Sequence, residues 1–111
     1  MKDAISPAEL EDLLDQDADV KVLDVRRREH RVDVEHPIPG AEWKDPEKID
    51  EWSKDLGAHG EVIVFCVYGH NVSQDARDFL REQGLRARIV DGGIEAWQAF
   101  SGSSNSRGHN I

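Results

Sequence analysis

Apolar residues along this chain follow two alternating rhythms. Val20-Lys21-Val22-Leu23-Asp24-Val25-Arg26, Glu61 to Phe65 and Arg86 to Val90 are short, β-branched-rich runs with the length of strands. Between and around them, apolar residues recur at the three- and four-residue steps of a helical face. Those stripes are Leu10, Leu13 and Leu14; Ile49, Trp52 and Leu56; Val72, Ala76, Phe79 and Leu80; and Ile94, Trp97 and Phe100. The polar punctuation agrees. Ser6-Pro7-Ala8-Glu9 is a capping box with proline at the first helical position. Asp45-Pro46 opens a second helix that Gly57 closes, and Gly84 stops the third. Asp91-Gly92-Gly93 turns into a short fourth helix, and the charged, proline-bearing stretch from Arg27 to Ala41 reads as loop.

Strands alternating with helices predict an α/β layer: a central, mostly parallel sheet flanked by helices. Ligands of such sheets bind outside the carboxyl ends of the strands. Asp24 to Arg28, Cys66 to Asn71 and Asp91 to Gly93 all follow strands, so they are expected to converge on one rim. With 111 residues the chain supports one domain, expected over residues 1–100. Residues 101–111 hold only Ile111 as an apolar side chain and read as a flexible tail.

Composition narrows the function classes. The chain is 38% hydrophobic and 33% charged, and no apolar run approaches the roughly 20 residues of a membrane span. Met1 to Pro7 has no apolar signal core, so a cytoplasmic protein without membrane contact is expected. A net charge of -9 argues against nucleic acid as a partner, and it means that any attraction for an anion must be local. One cysteine excludes an internal disulfide and a cysteine-based zinc site, and none of the five histidines pairs with another at helical spacing. Neither a metal nor a cofactor is expected.

The candidate chemistry lies at Cys66. The strand ends on this thiol, a short turn through Val67, Tyr68, Gly69 and His70 follows, and a helix starts near Asn71 and Val72. Backbone N–H groups in such a turn point at one centre, and the field of a helix N-terminus favours anionic sulfur. A free cysteine also packs as a small hydrophobe, but its strand-end placement favours the nucleophile. Gly69 supplies the tolerance of positive φ that an inward-folded turn needs. His70 offers a titratable charge or a donor to an oxyanion, against an ordinary place in solvent. Tyr68 offers a pocket wall. Arg26 is either a surface residue paired with Asp24 or Glu29, or a bidentate partner for an oxyanion. Arg27 and Arg28 read as a solvated basic patch, and Arg77 as surface.

Four fragments together resemble the rhodanese family of sulfurtransferases: Leu23-Asp24-Val25-Arg26 with Glu29, Ile38-Pro39-Gly40-Ala41, the Cys66 loop with Gly69, and Asp91-Gly92-Gly93-Ile94-Glu95-Ala96-Trp97. The resemblance spans roughly residues 5–100. It implies the family's fold and a Cys66 thiolate that takes sulfane sulfur from thiosulfate or a similar small anionic donor. The persulfide then passes the sulfur to cyanide, a thiol or a protein acceptor. It also implies a site built from Cys66 with Val67, Tyr68, Gly69, His70, Asn71, Val72 and Arg26. The chain departs from the family in two places. The loop lacks the arginine often found in it, and His36-Pro37-Ile38 carries an extra proline, which leaves His36 outside the expected site. A non-catalytic or sulfur-relay module of the same fold is the alternative. Phosphatase or arsenate-reductase chemistry is disfavoured because Val72 stands where an oxyanion-clamping arginine would be needed.

Overall fold

The structure, a computed structural model, describes residues 3–56, 60–68 and 71–109. The expected glycine stop at Gly57, and Gly69 and His70 of the loop, fall outside them. In chain order the elements are β1 (Ala4–Ile5), α1 (Pro7–Asp15), β2 (Val20–Asp24), β3 (Glu42–Trp43), α2 (Ile49–Trp52), β4 (Glu61–Phe65), α3 (Asn71–Glu82), β5 (Ala87–Val90) and α4 (Gly93–His109). All four strand pairings are parallel, in the order β1-β5-β4-β2-β3. This is the α/β architecture that the alternating pattern predicts. β1 and β3 escape sequence reading because two residues are too short to show a period.

Local chemistry fixes the helix starts. The Ser6 Oγ accepts from the Glu9 N–H and the Glu9 carboxylate accepts from the Ser6 N–H, which completes the capping box on α1. The second helix is broken up: a 3-10 turn at Pro46–Lys48, one α turn, and another 3-10 turn at Ser53–Asp55. The third ends near Gly84, whose φ of 87° suits glycine.

The segment expected as a tail begins inside a helix. Helix α4 continues through Ser101 to His109 where composition reads as irregular. No proline interrupts the segment, and each residue added to a helix already nucleated by buried Ile94 and Trp97 gains a hydrogen bond.

Strand alternation divides the core in two. Val22, Ile63, Phe65 and Val90 face α1 and α4, against Leu10, Ile94 and Trp97. Leu23, Val25, Val62, Val64 and Ile89 face the other way, against Leu56, Ala76 and Leu80. The central β4 is therefore buried on both faces, with Val62 to Phe65 each at most 2% exposed. A residue's parity along β2 or β4 decides which layer it meets.

A candidate active site around Cys66

Cys66 comes directly after β4 and keeps the parity of Val62 and Val64, so its side chain turns toward α3. It is 7% exposed. Its Sγ lies 3.2 Å from the Oγ of Ser73, which sits fully buried in the first turn of α3. The thiol can donate to that oxygen, and the hydroxyl can donate to a thiolate in its place.

The start of α4 holds the backbone here. The Ile94 N–H donates to the Cys66 carbonyl at 2.9 Å and the Glu95 N–H to the Val67 carbonyl at 3.1 Å. Two first-turn donors that a helix leaves without internal partners are thus spent on the Cys66 segment. The turn that makes this possible needs glycine: Gly92 has φ of 77°, and a Cβ there would lie 2.6 Å from the Ala96 Cβ. The loops after β4 and β5 meet on one rim, as their strand-end positions predict.

A cavity of about 430 Å³ opens over the sulfur, lined by Arg27, His30, Cys66, Val67, Tyr68, Asn71 and Val72. Five of the residues singled out from sequence are therefore brought together: Cys66, Val67, Tyr68, Asn71 and Val72. Tyr68 stands at the rim, 60% exposed. Arg26 is not with them. Its Nε and Nη2 grip the Asp24 carboxylate, with Nη2 to Oδ2 at 2.8 Å, and Nη1 donates to the Val32 carbonyl at 3.0 Å. It lines a separate cavity with Phe65, Ile94 and Ile38, on the α4 side of the sheet.

The arginine that lines the Cys66 cavity is Arg27, one residue on. Asp24 pairs with Phe65 in the parallel register, so Arg26 shares the Phe65 face and Arg27 the Cys66 face. That signal was present in the sequence, as the parity of two adjacent strands, but reading it requires knowing that β2 and β4 are neighbours. The guanidinium of Arg27 makes no ion pair or hydrogen bond among the described residues. Its neighbours are all engaged: Arg28 with Asp45 at 3.1 Å, and Arg28 and Arg31 over the Trp43 ring at 5.3 and 4.2 Å. His30, placed by a 3-10 turn at Arg28–His30, and Ser73 are further residues that sequence reasoning missed. Arg27 puts a cation, and His30 an imidazole, on the wall of this pocket in a chain of net charge -9.

Among the described residues, no group of three or more His, Cys, Asp or Glu side chains could hold a metal ion, and no helix is long and apolar enough to cross a membrane.

A parallel α/β sheet with a buried thiol at the carboxyl end of its central strand defines a cysteine-centred α/β domain. The model of the rhodanese-like domain matches residues 6–100, and the chain belongs to that family. A rhodanese-related protein from Thermoplasma volcanium is 28% identical, over 86% of this chain and 90% of that one, with a TM-score of 0.71. A thiosulfate sulfurtransferase from Pseudomonas aeruginosa superposes with a TM-score of 0.75 at 24% identity, over 91% of this chain and 19% of that one. A protein from Rhodopseudomonas palustris, described as a possible tyrosine phosphatase, gives 0.77 at 18% identity, over 89% of this chain and 81% of that one. The last two likenesses show the fold alone. No curated protein matches the sequence.

Proposed function

We propose that this protein moves sulfane sulfur from a small anionic donor such as thiosulfate to a thiophilic acceptor, through a persulfide on Cys66. The observation that carries this reading is the unpaired Arg27 guanidinium on the wall of the Cys66 cavity. It supplies, from the loop after β2, the arginine that the Cys66 loop lacks. In the first step the Cys66 thiolate attacks the outer sulfur of thiosulfate. The S–S bond breaks, sulfite leaves with the electron pair, and the outer sulfur stays on Cys66. Arg27 and His30 hold the donor's sulfonate end against the global negative field. Ser73 positions the sulfur and donates to it when it is anionic. In the second step cyanide or a thiolate attacks the outer sulfur, and Cys66 departs as the thiolate.

Intact-mass spectrometry after incubation with thiosulfate tests the reading. Wild type should gain one sulfur atom, lost again on adding cyanide with release of thiocyanate. Cys66→Ser should gain none, because a serine hydroxyl is not ionised at neutral pH. No gain on the wild type with thiosulfate, mercaptopyruvate or a low-molecular-weight persulfide would favour a binding module instead.

A further inference from the structure

The Cys66 cavity does not end at the sulfur. A second cavity, of about 410 Å³, adjoins it and shares Arg27 and Val72 as lining residues. Its floor is apolar: Val72, Ala76 and Phe79 from α3, and Ile49 from α2. Its rim is acidic, with Glu29, Glu47 and Asp75, all exposed. None of these three carboxylates forms an ion pair with a described side chain, although five of the chain's arginines do pair with carboxylates. The groove is therefore polarised along its length. A guanidinium and an imidazole stand at the Cys66 end, and three carboxylates surround an apolar floor at the other.

We propose that this second cavity holds the sulfur acceptor, and that the acceptor is a low-molecular-weight aminothiol. The inference rests on the sulfur-transfer reading of Cys66. A cavity of this volume suits a small molecule. An aminothiolate is itself a dipole, with negative sulfur at one end and an ammonium at the other. Placed with its sulfur toward Arg27 and its ammonium among Glu29, Glu47 and Asp75, it matches the groove at both ends, and its methylenes cover Val72 and Phe79. An anionic thiol such as mercaptopropionate would set its carboxylate against three others. In the transfer the acceptor thiolate attacks the outer sulfur of the Cys66 persulfide. The bond from that sulfur to Sγ breaks, Cys66 leaves as the thiolate, and the acceptor departs as its own persulfide.

Two measurements test this. The first is single-turnover discharge of the Cys66 persulfide by cysteamine, mercaptoethanol and mercaptopropionate, with rates normalised to thiolate concentration because reactivity follows it. The second needs no persulfide: the free Cys66 thiol reacts with the mixed pyridyl disulfides of the same three thiols, and thiopyridone release is followed. In both, the cationic reagent should outpace the anionic one by about tenfold or more at low salt, as expected of several exposed charge pairs acting together. The preference should shrink at high salt. It should vanish in Glu29→Gln/Glu47→Gln/Asp75→Asn and survive in Asp12→Asn/Asp15→Asn/Asp17→Asn, which removes as many charges on the α1 side. Equal rates in wild type, or equal loss in both triple variants, would overturn the inference. Failure of persulfide formation, with the charge preference intact in the pyridyl series, would instead count against the sulfur-transfer reading.

Discussion

At the scale of single residues, two adjacent arginines do opposite work. Arg26 and Asp24 have side chains only 11% and 9% exposed, and the pair is linked through three side-chain contacts. Arg26→Ala would strand the Asp24 carboxylate in a nearly dry site, at a cost of roughly 3 kcal/mol. Its thermal midpoint should fall while the KM for thiosulfate of the folded fraction stays near wild type. Arg27→Ala should do the reverse: an unchanged midpoint, and a KM raised about tenfold through loss of one charge-assisted contact. If both variants changed KM alike, the parity assignment of Arg27 to the Cys66 face would fail. Ser73→Ala separates positioning from binding. It removes an oxygen 3.2 Å from Sγ, so kcat for persulfide formation should drop about tenfold with little change in KM.

At the scale of elements, much of this molecule was legible in advance. The capping box, the four apolar helical stripes and the three longer strands each carry a local period that needs no tertiary knowledge. What escaped depends on neighbours. β1 and β3 exist because edge positions beside β5 and β2 were open to them. Arg27, His30 and Ser73 depend on which face of the sheet each loop leaves from. Residues 101–109 are helical through continuation of α4, which their own composition does not announce. Gly92 joins the two levels, because its turn aims the α4 N–H groups at Cys66 and Val67. Gly92→Ala should therefore cost about 1–3 kcal/mol in backbone strain and also lower persulfide formation, a pairing that circular dichroism and intact mass can read on the same sample. At the far edge, the exposed Asp3 accepts from Arg81 at 2.7 Å. That hydrogen bond, joined by the Arg77 charge, holds the Asp3 carboxyl below its ordinary value. A depressed carboxyl stabilises the fold above its ordinary range and loses that contribution as pH falls through its lowered value. Asp3→Asn should thus melt slightly below wild type at neutral pH, and the two should converge in strong acid.

At the scale of the whole molecule, a dianionic donor meets a protein of net charge -9. Carboxylates farther than about 8–10 Å are screened first as salt rises toward physiological strength, while the short-range contact with Arg27 is screened less. The KM for thiosulfate should therefore fall over that range. A KM that climbs from the lowest salt onward would mean that long-range attraction dominates after all. The last eleven residues bring the same question to the fold. Only Ile111 among them is apolar, so removing residues 101–111 should leave the melting temperature within a few degrees and persulfide formation intact. A large drop would give the end of α4 a structural role.

The buried setting of Cys66 has one more consequence. It is the chain's single thiol and only 7% of it is open to solvent. Any thiol label that attaches must attach there, with no background to subtract. A reagent as small as iodoacetamide can enter the cavity as it stands, whereas a bulky maleimide dye has to wait for the rim around Tyr68 and Asn71 to part. The ratio of the two labelling rates, each normalised to the reagent's rate with a free thiol, is then a gauge of how often that rim opens, and its temperature dependence yields the enthalpy of the opening without any engineered probe. A donor or acceptor held in the groove should slow the large reagent more than its own bulk explains, which would let occupancy be followed in a protein that undergoes no turnover at all.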